Sequence, residues 1–218
     1  ASWPTFDPNE IGRYTDNARR DRVAGDLHEL GSTIKPFTVA MALEEELTRS
    51  SELFDLSQPL ELDGTVIEDH EPIQGYATLR SILAQSSNIG AARLALRIGG
   101  ARQRAYFERL GLMQPAPLQL GRRQAPLAPA ARSRRDVAAL GFGYGLAATQ
   151  ASLASAYTVF VNDGARVAPT MLALAPDAEV ARTSVFAPEV ARQVRTYLRA
   201  VVTEGTGRQA DVRGLAVA

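Results

Sequence analysis

GSTIKPFT, residues 31–38, is the stretch on which the reading of the fold turns. Its continuation through Phe37, Ala40, Met41 and Leu43 has the spacing of one helix face, which predicts a helix from near Ser32 towards Leu47. Proline is compatible with a helix only in the first turn, where its missing N–H breaks no helical bond, so Pro36 places Ser32 at the amino end. Ser32 and Lys35, three residues apart, then share a face, with Cβ atoms about 5–6 Å apart. A free hydroxyl is a poor nucleophile at neutral pH and needs a base. An ammonium that is partly desolvated near a helix amino end is disfavoured in its charged form. Ser32 is therefore a candidate nucleophile and Lys35 its candidate base, with the Ser32 backbone N–H placed to supply half of an oxyanion hole.

Lys35 is also the only lysine in the 218 residues; every other cationic Lys/Arg position is arginine. An arginine-heavy composition alone can leave a single lysine, but a guanidinium stays protonated whereas an amine can give up its proton, so the lone lysine suggests a position where guanidinium will not serve. The bland alternatives are Ser32 as an N-cap and Lys35 as a solvated surface residue. A serine three residues before a single lysine arises by chance about 5% of the time, so the pair alone is a weak motif.

Composition narrows the function classes. Net charge is zero and the pI near 7.0, which gives no electrostatic footprint for nucleic acid or an anionic membrane surface. Hydrophobic residues make up 45% and charged residues 22%, ordinary for a globular domain with a real core. Cysteine is absent, which excludes disulfides and thiolate chemistry, and only His28 and His70 could anchor a histidine metal site. No cofactor is implied. Nothing at the amino end resembles a signal peptide, and the uncharged stretch 137–162 is too rich in glycine and hydroxyl residues to read as a membrane span.

Along the chain, Leu60, Leu62, Val66 and Ile67 flank Asp63-Gly64, a hairpin signal. Thr78 is placed to N-cap a helix through Leu83, and a second helix follows QSSN at 85–88. A third helix over 101–110 stops at Gly111, residues 112–135 read as a long loop, and Pro188 opens a last helix to about Val202. Residues 10–26 read as irregular surface. Ser86 and Asn88, in a helix–helix joint, offer a hydroxyl and a carboxamide to one cleft; alone, this is also ordinary capping chemistry. The glycine loop 141–145 lacks the preceding strand and the phosphate-binding lysine of a nucleotide site, and Glu68, Asp69 and Glu71 read as a solvated loop.

Taken together, the strings point to one family. GSTIKPFT resembles the active-site serine motif of penicillin-binding proteins, and QSSNIG at 85–90 resembles their second, Ser-x-Asn, motif. FGYGL at 142–146 is similar to a segment of division-type class B members, and residues 205–218 resemble the stretch leading into the third motif. The resemblance implies an α+β fold, an antiparallel sheet with helices on both faces, of which residues 1–218 hold a mainly helical part. It implies Ser32 as acylated nucleophile, Lys35 as general base, Ser86 as relay and Asn88 as substrate ligand. The implied reaction is D,D-transpeptidation of peptidoglycan stem peptides at cell division, with β-lactams as substrate mimics. The implied place is the extracytoplasmic face of the cell membrane, with an amino-terminal anchor outside this chain and other division proteins as partners. His28 and Leu30 depart from the tyrosine and proline usual before the glycine-serine pair. The Lys-Thr/Ser-Gly strand and the strands after it are not among the 218 residues. A catalytically inactive scaffold of this fold, and a serine β-lactamase or β-lactam sensor, are the alternative functions.

Overall fold

The computed structural model describes residues 3–119, 123–175 and 177–218. Its centre is a helix buried on every side. After a 3-10 turn at Gly31–Ile34, helix α3 runs Lys35–Glu44, with each residue from Lys35 to Ala42 buried. A helix enclosed all round must be apolar all round or satisfy its polar groups internally. Phe37, Val39 and Met41 do the first, and Thr38 does the second by donating to the Gly141 carbonyl at 2.7 Å. Pro36 lies in the first turn as its chemistry requires. The helix is shorter than the periodicity predicts, because Glu46 turns left-handed at φ 53° and reverses the chain.

Six helices surround or support α3: α4 (Leu79–Ala84), α5 (Asn88–Ile98), α6 (Gly100–Arg109), α7 (Arg134–Gly141), α8 (Gln150–Tyr157) and α9 (Pro188–Thr203). Thr78 caps α4 by accepting from the Ser81 N–H, and Gly111, at φ 74°, follows the end of α6. Helix α9 buries Ala191, Val194, Tyr197 and Ala200, a three-residue spacing that lays one stripe on the core. Phe37, Phe160, Phe186 and Tyr106 stack in sequence through that core.

Strands are short and pair antiparallel in twos: β1 (His28–Glu29) with β6 (Ala147–Ala148), β2 (Phe54–Asp55) with β5 (Tyr76–Ala77), β3 (Leu60–Leu62) with β4 (Thr65–Ile67), and β7 (Ala165–Val167) with β8 (Arg182–Ser184). The β3–β4 hairpin turns on Asp63 and Gly64, both at positive φ, as its sequence predicts.

Two regions correct the sequence reading. Residues 10–26 are not wholly irregular: single-turn helices α1 (Asp16–Arg19) and α2 (Arg22–Gly25) form where Thr15 and Asp21 cap them. The long loop ends earlier than 135, because Ser133 and Asp136 make a reciprocal capping box that starts α7. Leu120, Gly121 and Arg122 of that loop lie outside the described residues.

The glycine loop between α7 and β6 is a structural brace. Gly31 N–H donates to the Gly143 carbonyl at 3.2 Å, and Leu30 N–H to the Leu146 carbonyl at 2.9 Å. Gly143 sits at φ 82°, and a Cβ there would stand 2.0 Å from the Gly31 carbonyl oxygen. Both features demand glycine. Gly143→Ala should cost about 3 kcal/mol or more, from backbone strain and overpacking together. Gly12→Ala, in open space, should stay within about 0.5 kcal/mol of the parent. Urea unfolding compares them; equal stability of the two variants would contradict this packing.

Candidate active site

The site is assembled from three chain segments. The first is the 3-10 turn, which leaves Ser32 exposed at its surface while Lys35, one turn on, is 2% exposed. Tyr157 of α8 steadies this turn by donating to the Thr33 carbonyl at 2.8 Å.

The second is the joint between α4 and α5. Ser87 N–H donates to the Ile82 carbonyl at 2.9 Å and Ser86 N–H to the Leu83 carbonyl at 3.1 Å. This is a Schellman ending, whose left-handed position is ordinarily glycine. Here it is Ser86, at φ 56°. A side chain in that conformation costs about 1–2 kcal/mol. In return the joint presents a hydroxyl and a carbonyl in one direction. Ser87 then caps α5 by accepting from the Gly90 N–H, so one helix ends and the next begins within three residues.

The third is the chain after α9. Thr206 N–H donates to the Ala84 carbonyl at 3.0 Å, and a Cβ on Gly205 would stand 1.9 Å from that same oxygen. Only glycine lets the backbone approach α4 this closely. Ser32, Lys35, Leu83, Ser86, Tyr157 and Thr206 line the resulting cleft of about 230 Å³. A larger groove of about 700 Å³, bordered by Val66, Glu68, Arg135, Phe142 and Tyr144, has Asn88 in its wall.

Within the cleft, the amine of Lys35 donates to the Ser86 carbonyl, to Ser86 Oγ at 3.0 Å and to Asn88 Oδ1 at 2.8 Å. Ser86 Oγ in turn donates to Ser32 Oγ at 3.0 Å. All four residues singled out in the sequence therefore converge. The link from the Lys35 amine to the Ser32 hydroxyl runs through the Ser86 hydroxyl, whereas helix spacing alone would pair Ser32 and Lys35 directly. Asn88 is also held from outside, its Nδ2 donating to the Glu68 carbonyl at 2.9 Å.

Burial pushes the Lys35 amine down from 10.5 to about 8, against the opposing pull of the Asp69 carboxylate. At pH 7 about 10% of such amines are neutral, against about 0.03% at the ordinary value. The partners suit both forms. An ammonium has three donors for three acceptors. A neutral amine has two donors, for the Ser86 carbonyl and Asn88 Oδ1, and one lone pair for a Ser86 hydroxyl that rotates to donate. Once both hydroxyls turn, the Ser32 proton can hop to Ser86 Oγ as the Ser86 proton hops to the neutral amine, with heavy atoms in place.

Sequence reasoning missed two contributors. Tyr157 carries no local signal, since its partner lies 124 residues away. Asp69, read as part of a solvated loop, instead accepts from Ser87 Oγ at 2.7 Å and from Ile89 N–H at 2.9 Å. Among the described residues there is no cluster of three or more metal-ligating side chains, and no helix is long and apolar enough to cross a membrane.

The left-handed serine makes a clean prediction. Ser86→Gly and Ser86→Ala both lose the hydroxyl, but only alanine keeps the strained Cβ. The glycine variant should be more stable than the alanine variant by about 1 kcal/mol in chemical denaturation; an alanine variant of equal or greater stability would contradict the Schellman geometry.

The chain as a whole is similar to known proteins. The family model described as the penicillin binding protein transpeptidase domain matches residues 1–218. The probable peptidoglycan D,D-transpeptidase FtsI of Caulobacter vibrioides is 35% identical over 220 residues, covering 100% of this chain and 37% of that protein. The peptidoglycan D,D-transpeptidase FtsI of Escherichia coli K12 is 29% identical, again with 100% and 37% covered. The chain thus spans little more than a third of the length of these curated relatives. Among solved structures, the transpeptidase domain of Burkholderia pseudomallei penicillin-binding protein 3 superposes with a TM-score of 0.86 at 32% identity, covering 91% of this chain and 61% of that one. Penicillin binding protein 3 of Mycobacterium tuberculosis, complexed with aztreonam, gives a TM-score of 0.85 at 28% identity, covering 95% and 51%. The fold is accordingly the α+β penicillin-binding transpeptidase fold, and the chain belongs to the penicillin-binding protein transpeptidase domain family.

Proposed function

We propose that this chain is the helical side of a serine D,D-transpeptidase that cross-links peptidoglycan stem peptides during cell division. The observation that carries the proposal is the hydrogen-bonded line from Ser32 Oγ through Ser86 Oγ to the buried Lys35 amine. It supplies a nucleophile, a relay and a base whose pKa lies near neutrality, which is the equipment acyl transfer requires.

In the proposed reaction, Ser32 Oγ attacks the carbonyl of the terminal D-Ala–D-Ala bond while its proton passes through Ser86 to Lys35. The C–N bond breaks, and the departing amine takes that proton back along the same route, so that D-alanine leaves and an ester remains on Ser32. An amine from a neighbouring stem peptide then attacks the ester, loses its proton to the relay, and regenerates the Ser32 hydroxyl. Asn88, with one N–H still available after its bond to Glu68, would hold the substrate's amide backbone. A strand bearing Lys-Thr/Ser-Gly, implied by the family resemblance, would close the cleft, bind the substrate carboxylate and complete the oxyanion hole. β-Lactams would acylate Ser32 as mimics of the donor. The substrate puts this activity at the extracytoplasmic face of the cell membrane, where other division proteins are its expected partners.

Labelling with a fluorescent penicillin in the full-length polypeptide tests the reading. Label should appear on the parent and vanish in Ser32→Ala, and Lys35→Arg should slow acylation by about 10²–10⁴-fold, the usual contribution of a general base. The sign of the pH dependence follows from the depressed amine. The neutral form is the competent one, so the acylation rate should rise about tenfold per pH unit and level off above about 8. Label that survives Ser32→Ala, or a rate flat through that range, would overturn the proposal. Rapid hydrolytic loss of the label would favour a β-lactamase instead.

A further inference from the structure

We propose that Asp69 is a positioning residue of this site: its carboxylate pins the 86–88 joint in place and sets the local charge that Lys35 works against. The inference rests on the acyl-transfer reading above. Its geometric basis is independent of it.

Asp69 follows β4, in the loop whose Glu68 carbonyl holds Asn88. One carboxylate oxygen accepts the Ser87 hydroxyl at 2.7 Å and the other accepts the Ile89 N–H at 2.9 Å. Ser87 is fully buried, and its Oγ also accepts the Gly90 N–H. Asp69 therefore satisfies orphan donors at the start of α5, where a negative charge is also favoured by the helix dipole. Residues 86–88 are fixed from one side by the Schellman turn of α4 and from the other by this carboxylate. Both Lys35 partners, Ser86 and Asn88, lie between the two fixings, so the joint cannot drift without breaking the amine's hydrogen bonds. Ser86 in particular is held in a conformation it would leave if released.

The electrostatic part follows from the surroundings of the amine. The 3-10 turn, the joint and α9 bring Ser32, Ser86, Asn88, Leu198 and Val201 towards the cleft, none of them charged. The Tyr157 phenol, pushed up to about 12 by burial, is neutral across the working range. Among the described residues, Asp69 is the carboxylate whose charge opposes the effect of burial on Lys35, favouring the ammonium. Desolvation outweighs it, which leaves the amine near neutrality rather than locked in its uncharged form.

Two substitutions separate the roles. Asp69→Asn removes the charge but keeps an acceptor for the Ile89 N–H. The acid limb of Ser32 acylation should move to lower pH by about half a unit or more, as for loss of a nearby opposite charge. Asp69→Ala removes both acceptors. Amide exchange across residues 85–90, followed by mass spectrometry, should then speed up by about tenfold or more, and the plateau acylation rate should fall. An acid limb in Asp69→Asn that superimposes on the parent would overturn the electrostatic role, and unchanged exchange in Asp69→Ala would overturn the positioning role. A merely structural residue would not move the acid limb. Absence of Ser32-dependent acylation in the parent would count against the transpeptidase reading and the electrostatic role that depends on it; the exchange result decides the positioning role either way.

Discussion

Everything at this site depends on burying one amine. Lys35 is buried at the start of a helix whose other buried side chains, Thr38 apart, are apolar, and an unpaired ammonium in such a place would cost several kcal/mol. The fold offsets that cost with three oxygen acceptors, all from one joint 51–53 residues further along the chain. The compensation is incomplete, and what is left of the penalty loosens the amine's grip on its proton, which is the property the proposed base needs near neutral pH. A position of this kind excludes arginine, which would stay charged, and the sole lysine of the chain occupies it.

The joint that receives the amine is built by stacking local rules against each other. A Schellman ending asks for glycine, yet a serine takes the left-handed position and brings a hydroxyl to the one place where it can touch both Lys35 and Ser32. The strain is held by neighbours: Asp69 at the next helix start, the Ala84 carbonyl tied to Thr206, and the glycine loop that grips the nucleophile's own turn. Stability is spent locally to fix heavy atoms, so that only hydroxyl protons need to rotate during transfer. For the proposed reaction that is a form of preorganisation, in which the reorganisation cost would be met during folding.

How much of this could be read from residues alone follows the range of each interaction. Pro36, the Asp63-Gly64 hairpin and the Thr78 cap act over a few residues and are legible. So is the Ser32–Lys35 spacing, which names two side chains that the fold does bring to one cleft but suggests a direct contact in place of the bridge through Ser86. The capping box of Ser133 and Asp136 is equally local, yet it is embedded among prolines, alanines and arginines that read as loop. Strands of two or three residues, paired across long separations as His28–Glu29 is with Ala147–Ala148, show no alternation to detect. Asp69 and Tyr157 are invisible for the same reason: their roles exist only once distant segments have met. The family resemblance implies roles for Ser86 and Asn88; the geometry gives a physical reason for the two to sit together around the amine.

The most direct test is the titration of the amine itself. Because Lys35 is the only lysine among the 218 residues, carbon-13 at the lysine Cε gives a single resonance to follow with pH. A midpoint near 8 would be the signature of a buried amine held at the 86–88 joint. A midpoint at the ordinary 10.5 would mean that the amine is solvated, and the relay through Ser86 would have no base at its end.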